Sequence, residues 1–276
     1  YVYCGHPKCA STWMSGIVLK VCNDLGMKPF YEQVAMRRTT VDMIKNSGAD
    51  FIISQNTDYQ KIAALEAYRG FHLIRDPRDL CISAYFSFLH SHPIREWEQL
   101  AELRAKLKSL NKEEGIREVI IFCERFLKFM DQWNYADENI LDVKIEDLKE
   151  KPLANLIRIF DFMGLLNPEE ENAMTSSIFQ VKAFANKVLR QKQIPFDYRI
   201  PQKYISRAYL KELLDKLDFK KLSKGRKEGE EDSKSHYRKG TPGDWKNHFN
   251  GDHIELVKEY YGDLLVKLSY EKDLDW

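Results

Sequence analysis

The sequence has no apolar run approaching the roughly 20 residues that a membrane-spanning helix needs, and no secretory leader is visible in it. It has no C-x-x-C pair. Its five cysteines, at 4, 9, 22, 81 and 123, are odd in number and irregularly spaced, which excludes a disulfide framework and gives no zinc pattern. It has no excess of charge: 43 basic against 42 acidic residues leave a formal net charge of +1. Bulk electrostatics therefore argue neither for nucleic acid nor for an anionic membrane. It has no internal repeat, and no G-x-x-x-x-G-K-[ST] loop of the kind that wraps a triphosphate. What is present is a chain of 276 residues, 43% hydrophobic and 31% charged, long enough for one domain with a large core and unlike a disordered polymer.

Short apolar runs alternate with helical periodicities. Tyr1 to Cys4, Phe51 to Ser54, Phe71 to Ile74 and Ile140 to Ile145 read as strands. Helices are expected over 13–25 (stopped by Gly26), 58–68, 77–89, 95–110, 113–133, 151–162, 168–181, 209–217 and 251–268. This alternation predicts an α/β fold, a single domain over 1–276 with a mostly parallel central sheet flanked by helices. The polar stretch 220–237 reads as a mobile loop. Its basic residues are interrupted by Glu228, Glu230, Glu231 and Asp232, which disfavours a nucleic-acid patch. Cys22, Cys81 and Cys123 fall within apolar patterns and read as buried small hydrophobes.

Three segments carry anion-binding chemistry. The first strand runs into Cys4-Gly5-His6-Pro7-Lys8-Cys9-Ala10-Ser11-Thr12-Trp13, a tight turn and helix start. Helix-start N–H groups lack intrahelical acceptors, and the helix dipole favours an anion there. Lys8 adds a cation, and Ser11 and Thr12 add hydroxyls. Cys9 reads as a loop filler contributing its N–H. The third apolar strand ends at Arg75-Asp76-Pro77-Arg78, so Arg75 and Arg78 are both delivered to the carboxyl edge of the sheet, where open α/β sheets bind ligands. Ser83 follows on the next helix. The third segment is Arg238-Lys239-Gly240-Thr241-Pro242-Gly243-Asp244-Trp245-Lys246, two cations before a glycine turn able to form an anion nest. Several anion sites imply a ligand with separated negative groups, such as a nucleotide with two phosphates.

Together these segments resemble the nucleotide-dependent sulfotransferases, and the resemblance extends over almost the whole chain. Pro7 to Trp13 is similar to the family's P-K-S-G-T-T-W, Arg75 to Ser83 to its R-x-x-x-D-x-x-x-S, and Arg238 to Lys246 matches R-K-G-x-x-G-D-W-K residue for residue. The resemblance implies 3'-phosphoadenosine 5'-phosphosulfate (PAPS) as donor, PAP as product, and no metal. It implies that Lys8, Cys9, Ala10, Ser11 and Thr12 grip the 5'-phosphosulfate and that Trp13 stacks near the adenine. Arg75, Ser83, Arg238, Lys239 and Gly240 are implied to hold the 3'-phosphate. Ser177 and Phe179 resemble the adenine-side T-x-F, and Ile145 to Leu148 with Pro152 resembles Y-E-D-x-x-x-x-P. Three departures stand out. Cys9 and Ala10 replace serine and glycine, Ile145 replaces tyrosine, and Asn56 stands where cytosolic members carry a histidine base.

Sulfuryl transfer needs in-line positioning and stabilisation of charge on the leaving oxygen, a task that falls to Lys8. The acceptor is a hydroxyl on a small molecule, lipid or glycan. Four candidates for the proton acceptor remain open: Asp58, Glu32, His90 and His92. Related heparan-type enzymes, which lack the histidine, use a glutamate. Asp58 also reads as a helix N-cap, Glu32 as a loop residue, and His6 as packing. The competing readings are a catalytically silent nucleotide-binding protein, favoured by Asn56, and a small-molecule kinase, disfavoured by the missing triphosphate loop. A cytoplasmic setting is expected.

Overall fold

In a parallel sheet covered on both faces, strands must be apolar along their whole length, and three of the expected runs meet that demand. In the computed structural model every residue of β1 (Val2–Cys4), β3 (Phe51–Ser54) and β4 (Gly70–Ile74) is buried. The structure describes the chain apart from residues 33–38, 95–96, 169–172, 218–220, 222, 224, 228 and 236–237. β2 (Pro29–Glu32) was not expected. It opens on a proline and lies at a sheet edge, where the missing N–H is tolerated. Glu32 is therefore a strand residue and not a loop residue. β5 (Ile140–Lys144) is one residue shorter than the sequence suggests, because Ile145 already opens α7 (Ile145–Glu150).

The strand order is β2-β3-β1-β4-β5, and the pairs β2–β3, β3–β1 and β1–β4 all run parallel. The expected parallel α/β sheet is thus found. β1 pairs with both β3 and β4, so the strand order reverses beside it, the position where such sheets bind ligands. The β1–β4 pairing requires Gly70. A Cβ there would lie 1.9 Å from the Val2 carbonyl oxygen. His72 on β4 and Asp142 on β5 share a 2.7 Å hydrogen bond. Burial lowers His72 to about 3, and burial together with the neighbouring Asp137 charge raises Asp142 to about 7.

The chain divides into two compact units. The first comprises Tyr1–Gly5, Ala10–Leu73 and Asn134–Leu217. It contains the sheet with α1 (Ser11–Leu25), α2 (Val41–Asn46), α3 (Tyr59–Ala63), α7, α8 (Pro152–Phe162), α9 (Ala173–Gln191) and α10 (Arg207–Lys216). Its core packs Tyr3 on Phe71, with ring centroids 4.9 Å apart, among Met14, Ile17, Val21, Ile159 and Phe160. α1 ends where expected, at Gly26 in the left-handed region (φ 73°). α3 is shorter than the expected 58–68 and starts one residue after Asp58. α9 runs beyond the expected Val181; the expected start of that helix lies partly outside the described residues.

The second unit comprises His6–Cys9, Ile74–Trp133 and Asp218–Trp276. It contains α4 (Pro77–Phe86), α5 (Glu98–Ser109), α6 (Lys112–Asp131) and the C-terminal helix Gly251–Lys267. α4 does not continue regularly to residue 89, as expected, but widens into a π turn over Ser87–Ser91. Phe88, Trp97, Phe122 and Phe126 form an aromatic cluster with centroids 5.7–6.3 Å apart. All five cysteines are buried. Much of the loop expected at 220–237 lies outside the described residues. Among those described, the N–H of Asp232 donates to the Arg238 carbonyl and that of Gly229 to the Lys239 carbonyl. No helix among the described residues is long and apolar enough to cross a membrane.

Gly70→Ala is expected to destabilise the protein by about 3 kcal/mol or more, since strand backbone and not a flexible side chain would have to move. Urea unfolding of the variant measures it; a loss within experimental error of zero would show that β1 and β4 can separate at little cost.

Candidate active site

The lysine turn is built on backbone strain. Lys8 (φ 68°) and Ala10 (φ 52°) are both left-handed without being glycine, a conformation that costs of the order of 1–2 kcal/mol per residue. Ala10 is the N-cap of α1 and brings no side-chain oxygen to the first-turn N–H groups. Those of Ser11 and Thr12 point, as at any helix start, beyond the helix. The Cys9 N–H donates to the His6 carbonyl (3.2 Å), which closes the turn, and the Cys9 thiol is buried. His6 is a buried packing residue, its ring edge-on to Trp133.

Within the second unit Arg75 reaches this turn. Its Nη1 donates to the Lys8 carbonyl at 2.8 Å. Burial and the neighbouring Arg75 charge together lower the Lys8 ammonium to about 8. Arg78 does not share the ligand-facing role expected for it. Its guanidinium is buried, bonded through Nη2 to Asp76 (2.7 Å) and through Nη1 to Glu271, and lies 4.2 Å from the Trp245 ring centroid and 4.6 Å from that of Trp276, two rings set nearly perpendicular to each other. Its donors are committed to structure. Ser83 is half-buried on α4.

The third segment is tied to the second by one carboxylate. Asp79, 1% exposed, accepts from the N–H of Gly243 (2.6 Å) and of Trp245 (3.0 Å). Inside the turn, Asp244 gathers the cations. Lys239 Nζ donates to its Oδ1 at 2.6 Å, and Arg238 Nη2, Asn247 and His248 complete its shell. Burial alone would raise the Asp244 carboxyl, but these four partners outweigh it and hold the carboxyl well below the usual carboxylate range. Arg238 also bonds Glu231 and stacks on Phe86 of α4, 4.5 Å from the ring centroid. Gly240 adopts φ 78°, which opens the turn after Lys239. His90 is exposed on the π turn, and His92 packs edge-on to Phe88 and Trp97.

The first unit holds the remaining candidates. Trp13 is half-buried, and its Nε1 donates to the Leu217 carbonyl (3.1 Å). Ser177 is exposed on α9; Phe179, on the same helix, packs edge-on to Tyr209 at 5.2 Å. At the carboxyl ends of β2 and β3, Glu32 and Ser54 are register partners. Ser54 Oγ donates to Glu32 Oε2 at 2.5 Å, and Lys61 Nζ from α3 donates to Oε1 at 2.9 Å. Asp58 caps α3, its Oδ1 accepting the Gln60 N–H at 3.0 Å. The Asn56 Oδ1 atom is buried with no hydrogen-bond partner.

A family model described as a sulfotransferase domain matches residues 2–269. The chain belongs to the sulfotransferase family. This sulfotransferase is 22% identical over 281 residues to a flavonol sulfotransferase-like protein of Flaveria bidentis, across 95% of this chain and 80% of that one. It is 21% identical over 295 residues to cytosolic sulfotransferase 16 of Arabidopsis thaliana, across 95% and 76%. A solved mouse sulfotransferase, SULT7A1 complexed with PAP, aligns over 96% of this chain and 84% of that one, with 14% identity and a TM-score of 0.49.

Sequence reasoning gave no role to Asp79, Phe86, Ser54 or Lys61. Asp79 carried a signal, since it is the aspartate of R-x-x-x-D-x-x-x-S. The other three carried none, because Phe86 reads as core, and Ser54 and Lys61 matter only once β2 is known to pair with β3.

Asp79→Asn leaves one amide oxygen where two charge-assisted bonds stood. It is expected to cost this sulfotransferase about 3 kcal/mol in urea unfolding and to speed amide exchange at Gly243 and Trp245. Unchanged exchange there would show that the turn holds itself.

Proposed function

We propose that this chain transfers the sulfuryl group of PAPS to a hydroxyl on a small molecule, lipid or glycan, releasing PAP. The observation that carries the reading is the linkage, within one compact unit, of the second and third motifs to each other and to the Lys8 end of the first. Arg75 bonds the Lys8 backbone, and Asp79 bonds the Gly243 and Trp245 backbone. Family membership supports the same reading, and the family model spans segments of both units, so we treat residues 1–276 as one functional domain. The "cytosolic" name of the Arabidopsis relative supports a cytoplasmic setting.

The residues fit a doubly anionic nucleotide. Four half-buried cations, Lys8, Arg75, Arg238 and Lys239, lie in one unit with left-handed backbone at Lys8 and Gly240. Lys8, Cys9, Ala10, Ser11 and Thr12 would hold the 5' end. Arg75, Ser83, Arg238, Lys239 and Gly240 would hold the 3'-phosphate, and Trp13 and Phe179 the adenine; Ser177, two residues before Phe179 on α9, faces the other side of that helix and is not given this role. When bound, the donor supplies a sulfuryl group on a phosphate leaving group, with no metal required. The Lys8 ammonium neutralises charge on the oxygen that is left behind. An arginine fork suits a terminal phosphate; Arg75 spends Nη1 on the Lys8 carbonyl, and Arg238 would exchange Glu231 or Asp244 for the phosphate to present its own.

For the base we choose Glu32. Its side chain is 11% exposed, lies at the carboxyl end of a strand, and is oriented by donors from two other elements. A carboxylate has about four lone-pair sites, so two such bonds leave it able to accept an acceptor's proton. Asp58 is engaged as a cap, and His90 is anchored by nothing beyond its turn. A second reading, a silent nucleotide-binding protein, is favoured by Asn56: an amide whose buried oxygen has no partner cannot take up a proton. Membership of the sulfotransferase family weighs against a kinase.

Glu32→Gln is expected to lower kcat by about 10²–10⁴-fold with donor affinity retained, whereas Asp58→Asn and His90→Gln stay within a few-fold. Full turnover by Glu32→Gln removes it as the base. Donor binding without product across a broad acceptor panel, by the parent protein, selects the silent reading.

Lys8 acts as an ammonium. Because its pKa in the free protein is depressed to about 8, its charge is present below that pH and lost above it. We expect kcat/KM to fall as pH rises through about 8. Lys8→Arg abolishes that fall, and Lys8→Ala costs about 10²–10³-fold in kcat at neutral pH. A pH profile identical in parent and Lys8→Arg would deny the lysine its role.

A further inference from the structure

α9 presents an apolar ridge to solvent. Met174 is 73% exposed, Ile178 45%, Val181 69% and Phe184 65%. At i, i+4, i+7 and i+10 they form one stripe along the helix. The opposite side is anchored. Asn186 is buried and bonds the carbonyls of Asp24 and Ile200 through Nδ2 and the Ile200 N–H through Oδ1, while Phe179 packs on Tyr209. The stripe therefore faces outward because the helix docks through Asn186 and Phe179 and not through these four side chains.

The charge around the stripe has one sign. From 173 to 196 there is no acidic residue, and Lys182, Lys187, Arg190 and Lys192 are all basic. Lys187, Arg190 and Lys192 are exposed, and Lys182 is half-buried. At about 100° per residue, Lys182 and Lys187 flank the stripe on its two sides. Glu169, Glu170 and Glu171 precede the helix in sequence.

We propose that α9 docks this protein on an anionic lipid surface, with Ile178, Val181 and Phe184 entering the headgroup boundary and the flanking cations meeting lipid phosphates and carboxylates. A basic helix with exposed aliphatic and aromatic side chains has the physical signature of an interfacial segment. Long lysine side chains beside the stripe can keep their apolar stems in the boundary and their ammonium groups in water. Parallel symmetric pairing of α9 with a second copy of this chain would bring lysine to lysine. A folded acidic partner would need a groove to receive a convex ridge, whereas a fluid lipid surface needs none. The net charge of +1 hides this patch, since acidic residues elsewhere in the chain cancel it.

The test is co-sedimentation of the full chain with vesicles of phosphatidylcholine alone or with about a quarter phosphatidylserine. We expect at least about tenfold more binding to the anionic vesicles at about 0.1 M salt, and its loss at about 0.5 M. Val181→Ser/Phe184→Ser, an exposed double change expected to leave the melting temperature unaltered, should lower binding about tenfold. Lys187→Glu/Lys192→Glu should abolish the anionic preference. The proposal is overturned by failure to bind anionic vesicles, by equal binding to both compositions, or by full binding of the Val181/Phe184 variant. It is equally overturned if sedimentation equilibrium shows a dimer that this variant dissolves, which would give the stripe to a second copy. Sulfate transfer does not enter the measurement, so failure here leaves the catalytic reading untouched.

Discussion

The buried carboxylate of Asp79 accepts the N–H groups of Gly243 and Trp245, and the geometry of the third motif depends on that pair of bonds. Gly243 stands in the left-handed region, at φ 74°. The turn it makes exposes successive N–H groups that would otherwise need water. A carboxylate taken out of water needs donors, and a turn with outward N–H groups needs an acceptor. Each solves the other's problem. Asp79 sits on α4, two residues before Cys81 and four before Ser83, so the helix that carries the second motif also fixes the third. Asp244, next to Gly243, then sets where Arg238 and Lys239 point.

A second consequence is that positive charge is gathered before any anion arrives. Arg75 is bonded to the Lys8 carbonyl, and its charge helps to lower the Lys8 ammonium. Two left-handed non-glycine residues hold the turn open. Such an arrangement is costly in the ligand-free protein and is repaid when a negative group enters, which is the physical content of preorganisation. Asp244 moderates the cost, since its carboxylate compensates Arg238 and Lys239 while they have no other anion. It also limits how far those two side chains can wander. The left-handed Ala10 gives a conformational reason for the glycine found there in the family pattern: glycine would adopt φ 52° without strain.

What the sequence disclosed follows from how local each feature is. β1, β3 and β4 were legible because strands buried on both faces are written as short uninterrupted apolar runs. β2 was not, because Pro29-Phe30-Tyr31-Glu32 has neither an apolar run nor clear alternation. The three anion motifs were legible because each is a contiguous segment. Arg75 and Arg78 could not be told apart by the same means. They are the same residue type three positions apart, and what separates them is Glu271, Trp245 and Trp276, which lie far away in the chain. The surroundings of Glu32 were hidden for a related reason. Its alignment with Ser54 exists only through the β2–β3 register, and a slip of one residue would turn the carboxylate to the other face.

Net charge is a poor guide to either cation group in this chain, and the reason is general. A sum over 276 residues weighs a half-buried, compensated arginine and a solvent-facing lysine equally. Physically they are different objects. Lys8, Arg75, Arg238 and Lys239 are half-buried, where the effective dielectric is low and a single acid such as Asp244 or a single bound phosphate changes their energy by a large amount. That is a suitable setting for recognising one small anion in one orientation. Lys187 and Arg190 on α9 and Lys192 just after it are exposed, each interacts weakly and through salt, and only their number and shared sign give them force. That is a suitable setting for a broad surface and unsuitable for a discrete ligand. Burial and pairing therefore decide what each group of cations can bind, and the absence of acidic residues between 173 and 196 is as informative for α9 as the presence of Asp244 is for the nucleotide motif.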